Sequence, residues 1–129
     1  MSGFGITVGA HRLWSHKQFK ARLPLRIMLM LFQTISFQVE CLNFKLILIL
    51  KYNRSLFKGS IYQWCRDHRA HHKWADTDAD PHNATRGFFF SHIGWLLVKK
   101  HPDVVKKGSR LPLDNLLQDP VVYYQKMYI

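Results

Sequence analysis

Apolar residues recur in four segments of the chain, each long enough for a helix. Their lengths and their periodicity are typical of helices that bury one face. The pattern predicts helices over roughly residues 3–15, 22–37, 60–75 and 88–100. The expected fold class is therefore mainly α.

Two of the apolar stretches are candidates for contact with a membrane. LPLRIMLMLFQTISF is interrupted by Arg26 and Gln33, and it is shorter than the roughly 20 apolar residues that a spanning helix needs. It therefore indicates a core helix or a membrane-surface helix. The composition of residues 3–10, GFGITVGA, suggests the end of a spanning helix that begins before this chain does.

The charge of the chain narrows its possible partners. Lys and Arg number 19 against 8 Asp and Glu, which gives a net charge of +11 and suits nucleic acid, anionic lipid or a phosphorylated substrate. The hydrophobic content of 47% excludes a disordered basic tail, and no nucleic-acid-binding motif is present. Cys41 and Cys65 form no disulfide framework and fit a reducing, cytosol-facing setting.

The segment DHRAHHKW concentrates three of the eight histidines within five positions, at His68, His71 and His72. On a helix, residues spaced i, i+3 and i+4 lie on one face. Three imidazoles directed to one point are most stable when they are neutral and share a metal ion. Imidazole suits zinc, copper, iron and nickel, so this spacing favours a metal site.

A second pair, His11 and His16 in HRLWSH, is five residues apart. On an ideal α-helix this spacing offsets the side chains by about 140°. The pair can then meet at one ion only if the helix ends or bends between them, and it could otherwise reach two different metals.

Several common metal sites do not match these motifs. There is no Cys-x-x-Cys pair for a zinc finger and no Glu after the first His for a zincin. The acidic run Asp76, Asp78 and Asp80 lacks the Gly and Glu of a calcium loop. We interpret it as a turn in which Asp80-Pro81 ends the preceding helix.

The segments GAHRLWSH, RDHRAHHKWADTDADPHN and RGFFFSHIGWLLVKKHP closely resemble a membrane acyl-CoA desaturase of the stearoyl-CoA Δ9 type, most similar to insect enzymes. The resemblance implies a membrane-embedded helical enzyme with amphipathic cytosolic helices. It also implies an endoplasmic reticulum location with the histidine clusters facing the cytosol, and two irons held by histidines. Such an enzyme takes electrons from cytochrome b5 and uses O2 to place a cis double bond in a long-chain fatty acyl-CoA.

The same resemblance implies roles for individual residues. Five histidines match iron ligands of the family: His11, His16, His68, His71 and His72. Six residues match contacts to substrate. Trp64, and Gln38 with it, would shape the acyl tunnel, Arg66 and Asp67 would contact the CoA end, and Lys99 and Lys100 would meet CoA phosphates.

The helix predicted around FFFSHIGWLLVKK leaves two interpretations open. Phe89, Ile93, Leu96 and Leu97 recur at helical spacing, and Lys99 and Lys100 precede Pro102, which is expected to stop the helix. The helix is either buried with a solvated end or lies at the membrane interface with its basic end toward anionic phosphates.

The chain departs from the family pattern in three ways. Most of the family's spanning helices are expected to lie outside these 129 residues. The family has a third cluster, again His-x-x-His-His, and a further single ligand, both beyond residue 129. We therefore expect an incomplete iron site and no desaturase activity from these 129 residues alone. Residues 39–59 have no counterpart in the family. They are interpreted as an insertion. We favour a retained intron or a gene-model error. The alternative is a natural loop with a short strand.

Two functions from different classes remain. The first is an oxidoreductase, a partial acyl-CoA desaturase spanning residues 1–129, with acyl-CoA, cytochrome b5 and membrane lipid as partners and no nucleic acid. The second is a non-catalytic basic fragment that binds a membrane surface or nucleic acid and whose histidines are relics.

Overall fold

The computed structural model describes residues 2–48, 59–95 and 98–129. Within these ranges the chain is helical and contains no strand, which confirms the mainly α prediction. The α-helices are α1 (Ser2–Phe4), α2 (Leu23–Leu48), α3 (Ile61–Trp74), α4 (Pro102–Gly108), α5 (Asp114–Leu117) and α6 (Pro120–Tyr128). Two segments, Gly5–Ser15 and Phe90–Gly94, are π-helices, and Ala84–Arg86 forms one turn of 3-10 helix. None of the helices described is both long and apolar enough to cross a membrane.

The chain forms two compact units, and α3 contributes to both. The first unit comprises Met1–Cys65 and Asp114–Ile129, and the second comprises Arg66–Leu113.

A buried polar network holds the first unit together. Gln125 on α6 donates from Nε2 to Gln33 Oε1 and to Thr34 Oγ1, at 2.8 Å each, and its own Oε1 accepts the Ile61 N–H at 2.8 Å. Gln33 in turn donates to the Gly59 carbonyl at 2.9 Å. Buried amides are costly unless they are hydrogen-bonded, so this network holds α2, α6 and the start of α3 together.

Asp119 ties three elements of the same unit together. It caps α6 by accepting the Val121 N–H, it accepts the Trp14 indole N–H at 3.0 Å, and it pairs with Arg26 of α2 at 3.0 Å. Asp is a preferred N-cap residue, and Pro120 suits the first helical position that follows it.

The predicted helices 3–15 and 60–75 agree with the structure to within about one residue, whereas the other two do not. Helix α2 continues to Leu48, into the segment interpreted as an insertion, so residues 39–48 are helical rather than a strand. Residues 49–58 lie outside the described part of the chain. The prediction of helix over 88–100 is wrong at its end, because Val98 to Lys100 are not helical. Pro102 does not simply stop a helix. It begins α4, because a proline at the first helical position loses no intrahelical bond.

Candidate metal centre

His68 and His72 meet on one face of α3 in the second unit. Their Nε2 atoms are 3.0 Å apart and their ring centroids are 4.5 Å apart. Two nitrogens that bind one metal at about 2.1 Å lie about 3 Å apart when the angle between the bonds is near 90°. The donor atoms therefore suit a shared metal ion, as the i, i+4 spacing predicts.

His71 faces a different partner. Its Nδ1 lies 2.9 and 3.0 Å from the two carboxylate oxygens of Asp80, and its ring centroid is 5.8 Å from that of His72. The carboxylate occupies Nδ1 and leaves Nε2 as the atom with which His71 can bind a metal. The three histidines are thus neighbours, but only His68 and His72 have ring nitrogens in direct contact with each other.

Asp80 is a site residue that the sequence analysis assigned only to a turn. Its side chain is fully buried, and it also accepts the backbone N–H groups of Asp76 at 2.9 Å and His82 at 2.8 Å. Burial alone would raise the pKa of Asp80, but the hydrogen bonds from Asp76, His71 and His82 hold it below its usual value. No motif spacing reveals this residue, because the turn at Asp76, whose φ is 61°, carries the carboxylate back to α3.

His82 completes the surroundings of His71. Its ring packs edge-on against Trp95 at 4.2 Å and lies 5.4 Å from the ring of His71. Burial, followed by the effect of nearby His71, holds the pKa of His82 below its usual value. A neutral imidazole therefore stands beside the candidate ligand.

His11 and His16 meet in the first unit through a different helical geometry. The segment Gly5–Ser15 is a π-helix, and the His16 N–H bonds to the His11 carbonyl at 3.0 Å. Bonding of this i→i+5 kind brings residues five apart into neighbouring positions, so the ring centroids lie 4.6 Å apart. The offset of about 140° expected from an α-helix therefore does not apply here. One ring nitrogen of His11 and one of His16 lie within 4.8 Å of each other.

Trp64 and Cys65 position the first π-helix within its unit. The Cys65 thiol lies 3.4 Å from the Ala10 carbonyl, and the Trp64 ring meets the His11 ring edge-on at 6.3 Å. Trp64 therefore contacts a candidate ligand, which the sequence analysis did not predict. Gln38 lies in α2, but its side chain is outside the described part, so its proposed place beside Trp64 stays a prediction.

Asp67 pairs with two of the cationic residues that are predicted to contact CoA, Arg66 and Lys100. It is 8% exposed, its Oδ1 accepts from Arg66 Nε at 3.0 Å, and its Oδ2 accepts from Lys100 Nζ. Lys99 is exposed beside this cluster. Because the carboxylate is occupied by these two cations, Asp67 orients them rather than presenting itself to an anionic ligand.

No protein-family model matches the chain, but several curated proteins are similar to it. The chain is 53% identical over 128 residues to an acyl-CoA Delta-9 desaturase of Acheta domesticus. The alignment covers 99% of this chain and 30% of the relative. It is 53% identical over 127 residues to the Delta(9)-fatty-acid desaturase fat-7 of Caenorhabditis elegans, covering 98% of this chain and 32% of the relative. It is 50% identical over 128 residues to the human stearoyl-CoA desaturase 5, covering 99% and 33%.

These relatives confirm the resemblance that the motifs indicate. The chain is homologous over nearly its whole length to acyl-CoA desaturases, which are oxidoreductases. It spans about a third of the length of the curated relatives it matches.

Proposed function

We propose that this chain is part of an acyl-CoA desaturase that introduces a cis double bond into a long-chain fatty acyl-CoA. The observation that carries the proposal is the pairing of ring nitrogens at His68 and His72 in a chain about half identical to such enzymes. In the overall reaction the saturated chain gives up two hydrogen atoms and cytochrome b5 supplies two electrons. O2 accepts the two hydrogen atoms, the two electrons and two protons, and is thereby reduced to two water molecules.

Five histidines are proposed as iron ligands: His11, His16, His68, His71 and His72. The two pairs offer neutral nitrogen donors, which suit iron and leave room for further ligands. Iron, when bound, supplies the oxidising power that removal of hydrogen from an unactivated methylene requires and that side chains lack. The protein's part is to orient the imidazoles toward the metal.

The acyl chain of the substrate is proposed to bind along Trp64 and Gln38. Its CoA phosphates are proposed to bind to Arg66, Lys99 and Lys100. Asp67 keeps Arg66 and Lys100 in place, and the cluster retains a net positive charge for the phosphates. A cavity in the second unit includes Lys99, Lys100 and Arg86 in its lining, which supports this assignment.

The proposed location is the endoplasmic reticulum membrane, with the histidines facing the cytosol. Supporting this, α2 exposes apolar side chains at helical spacing, among them Met28, Leu31 and Ile35, each more than 40% exposed. Such a face suits contact with membrane lipid.

Metal binding by the purified chain tests the proposal against the alternative of a non-catalytic basic fragment. We expect Fe²⁺ or Co²⁺ to bind to the chain, and His68→Ala and His72→Ala to weaken binding at least about 10-fold. His92→Ala, which removes an exposed histidine stacked on Phe88, is the matched control. A chain that takes up no metal, or whose His68 and His72 variants bind as tightly as the control, would support the alternative.

Activity gives the second test. The chain contains one His-x-x-His-His motif, whereas the resemblance implies two, so the 129 residues by themselves are expected to form no product. Microsomes that lack their own desaturase would carry either this chain or a longer parent. Unsaturated product from the short chain would contradict the proposed ligand set.

A further inference from the structure

Asp80 is the most buried charged group near the candidate ligands, and its partners come from α3 and from the turn that follows it. Its side chain has 0% relative exposure, whereas that of His71 has 37%. A carboxylate in such a place is costly unless its oxygens are hydrogen-bonded. Here His71 Nδ1 and the N–H groups of Asp76 and His82 supply those bonds.

The backbone donors fix the orientation of the carboxylate independently of His71. The Asp76 N–H bonds to Oδ2 at 2.9 Å, and the His82 N–H bonds to Oδ1 at 2.8 Å. Neither donor can leave without opening the turn that runs from α3 to the 3-10 helix. The carboxylate is therefore a fixed acceptor toward which the imidazole turns.

An acceptor at Nδ1 decides where His71 carries its proton. A neutral imidazole bears one proton, and the ionised carboxylate can only accept, so the proton sits on Nδ1. The lone pair is then on Nε2, the nitrogen directed away from Asp80. Metal-binding histidines commonly have a carboxylate or carbonyl partner of this kind, which fixes the tautomer and raises the basicity of the ligand nitrogen.

The geometry points to Asp80 as a positioning residue that orients His71 and selects Nε2 as its metal-binding atom. The inference rests on the proposed function, since it assigns Asp80 a role toward a ligand proposed there. Asp80 itself is too enclosed by the turn to be a ligand. Its effect on the metal passes through His71.

The first measurement needs no metal. In the folded chain labelled with ¹⁵N, long-range proton–nitrogen correlation spectra distinguish the two tautomers of His71. We expect protonated Nδ1 and unprotonated Nε2. A proton on Nε2 in the unsubstituted chain would overturn the inference whether or not any variant folds.

The second measurement is Co²⁺ affinity, followed through the visible absorption of the bound ion. Asp80→Asn should weaken binding by about 10- to 100-fold. The matched control is Asp78→Asn, which removes the same charge from an exposed carboxylate two residues away and should leave the affinity unchanged. Equal affinities for the Asp80 variant and the control would also overturn the inference.

A double substitution separates positioning from general damage to the fold. If Asp80 acts through His71, then Asp80→Asn adds little further loss of affinity to a chain that already carries His71→Ala. A fully additive loss would assign Asp80 a merely structural role. If the unsubstituted chain binds no Co²⁺, the proposed function fails as well, whereas binding that is insensitive to Asp80 defeats this inference alone.

Discussion

At the scale of single residues, the histidines form pairs because each spacing matches the helix that carries it. His68 and His72 are four apart in an α-helix, and His11 and His16 are five apart in a π-helix. In each case the distance in sequence equals the hydrogen-bonding step of the helix, so the two rings meet. The spacing of a histidine pair is therefore informative only together with the type of helix.

The partly buried His82 gives a prediction for pH. Its pKa in the folded chain lies below the ordinary value of 6.5, so the unfolded chain takes up the proton first as the pH falls. The unfolded state then binds more protons than the folded state, and stability falls as the pH drops from 6.5 towards the lower folded pKa.

We expect His82→Gln to reduce this loss of stability, measured as the change in urea midpoint between neutral and mildly acidic pH. His92→Gln, at an exposed position, serves as the control and should keep the full pH dependence. The prediction fails if the His82 variant retains that dependence.

Lys99 and Lys100 are adjacent, but they are predicted to respond differently to substitution. Lys100 pairs with the buried Asp67, whereas Lys99 is exposed. Lys100→Ala should lower the free energy of unfolding by about 1 kcal/mol, because the pair is partly solvated and Arg66 still neutralises Asp67. Lys99→Ala should leave it unchanged.

Both lysine substitutions should weaken acyl-CoA binding without releasing the metal. Urea unfolding, acyl-CoA affinity and metal content, measured side by side, check these predictions. Equal stability loss at both positions would contradict the pairing of Lys100 with Asp67.

At the scale of elements, the first π-helix packs against α2 closely enough to require glycine. A Cβ on Gly5 would lie 2.1 Å from the backbone nitrogen of Gln33, and backbone cannot give way as a side chain can. Gly5→Ala should therefore destabilise the chain by about 1–3 kcal/mol or more.

The neighbouring Gly3 provides a matched control in the same region. A Cβ there would meet nothing within 4 Å, so Gly3→Ala should be neutral or stabilising by up to about 1 kcal/mol. The midpoints of thermal unfolding of the two variants, compared with that of the unsubstituted chain, test this prediction. A stable Gly5→Ala chain would be incompatible with the close approach of the two helices.

At the scale of the whole molecule, the segment interpreted as an insertion begins and ends near one buried network. Gln33 contacts Gly59, and Gln38 lies five positions after Gln33 in α2. Five positions rise about 7.5 Å along the helix. A parent without residues 39–59 would have to turn back within that length to reach Ser60, so we expect α2 to end before Gln38 in such a protein.

We predict that a longer parent lacking residues 39–59 desaturates a long saturated acyl-CoA and that restoring them abolishes activity. The extra residues would separate Gln38 from Trp64 along the proposed acyl tunnel. Product chromatography and iron content are the measurements, with the parent's His72→Ala variant as the inactive, iron-poor control. Full activity with residues 39–59 present would indicate a natural loop instead.

Local sequence patterns predict the helical class, two of the helices to within about one residue and the i, i+4 histidine pair. These features depend on local periodicity, which is written into neighbouring residues. Resemblance to known motifs added the similarity to acyl-CoA desaturases, which the relatives confirm.

Only the tertiary structure revealed the partners that are distant in sequence or hidden in a turn. Asp80 reaches His71 because the backbone reverses at Asp76, and Lys100 reaches Asp67 across 33 residues. The π-helical bonding that joins His11 to His16 lies in a segment that packs against α2, where Gly5 allows close contact. Such contacts depend on the folded path of the chain, and no local pattern of apolar and polar residues contains that path.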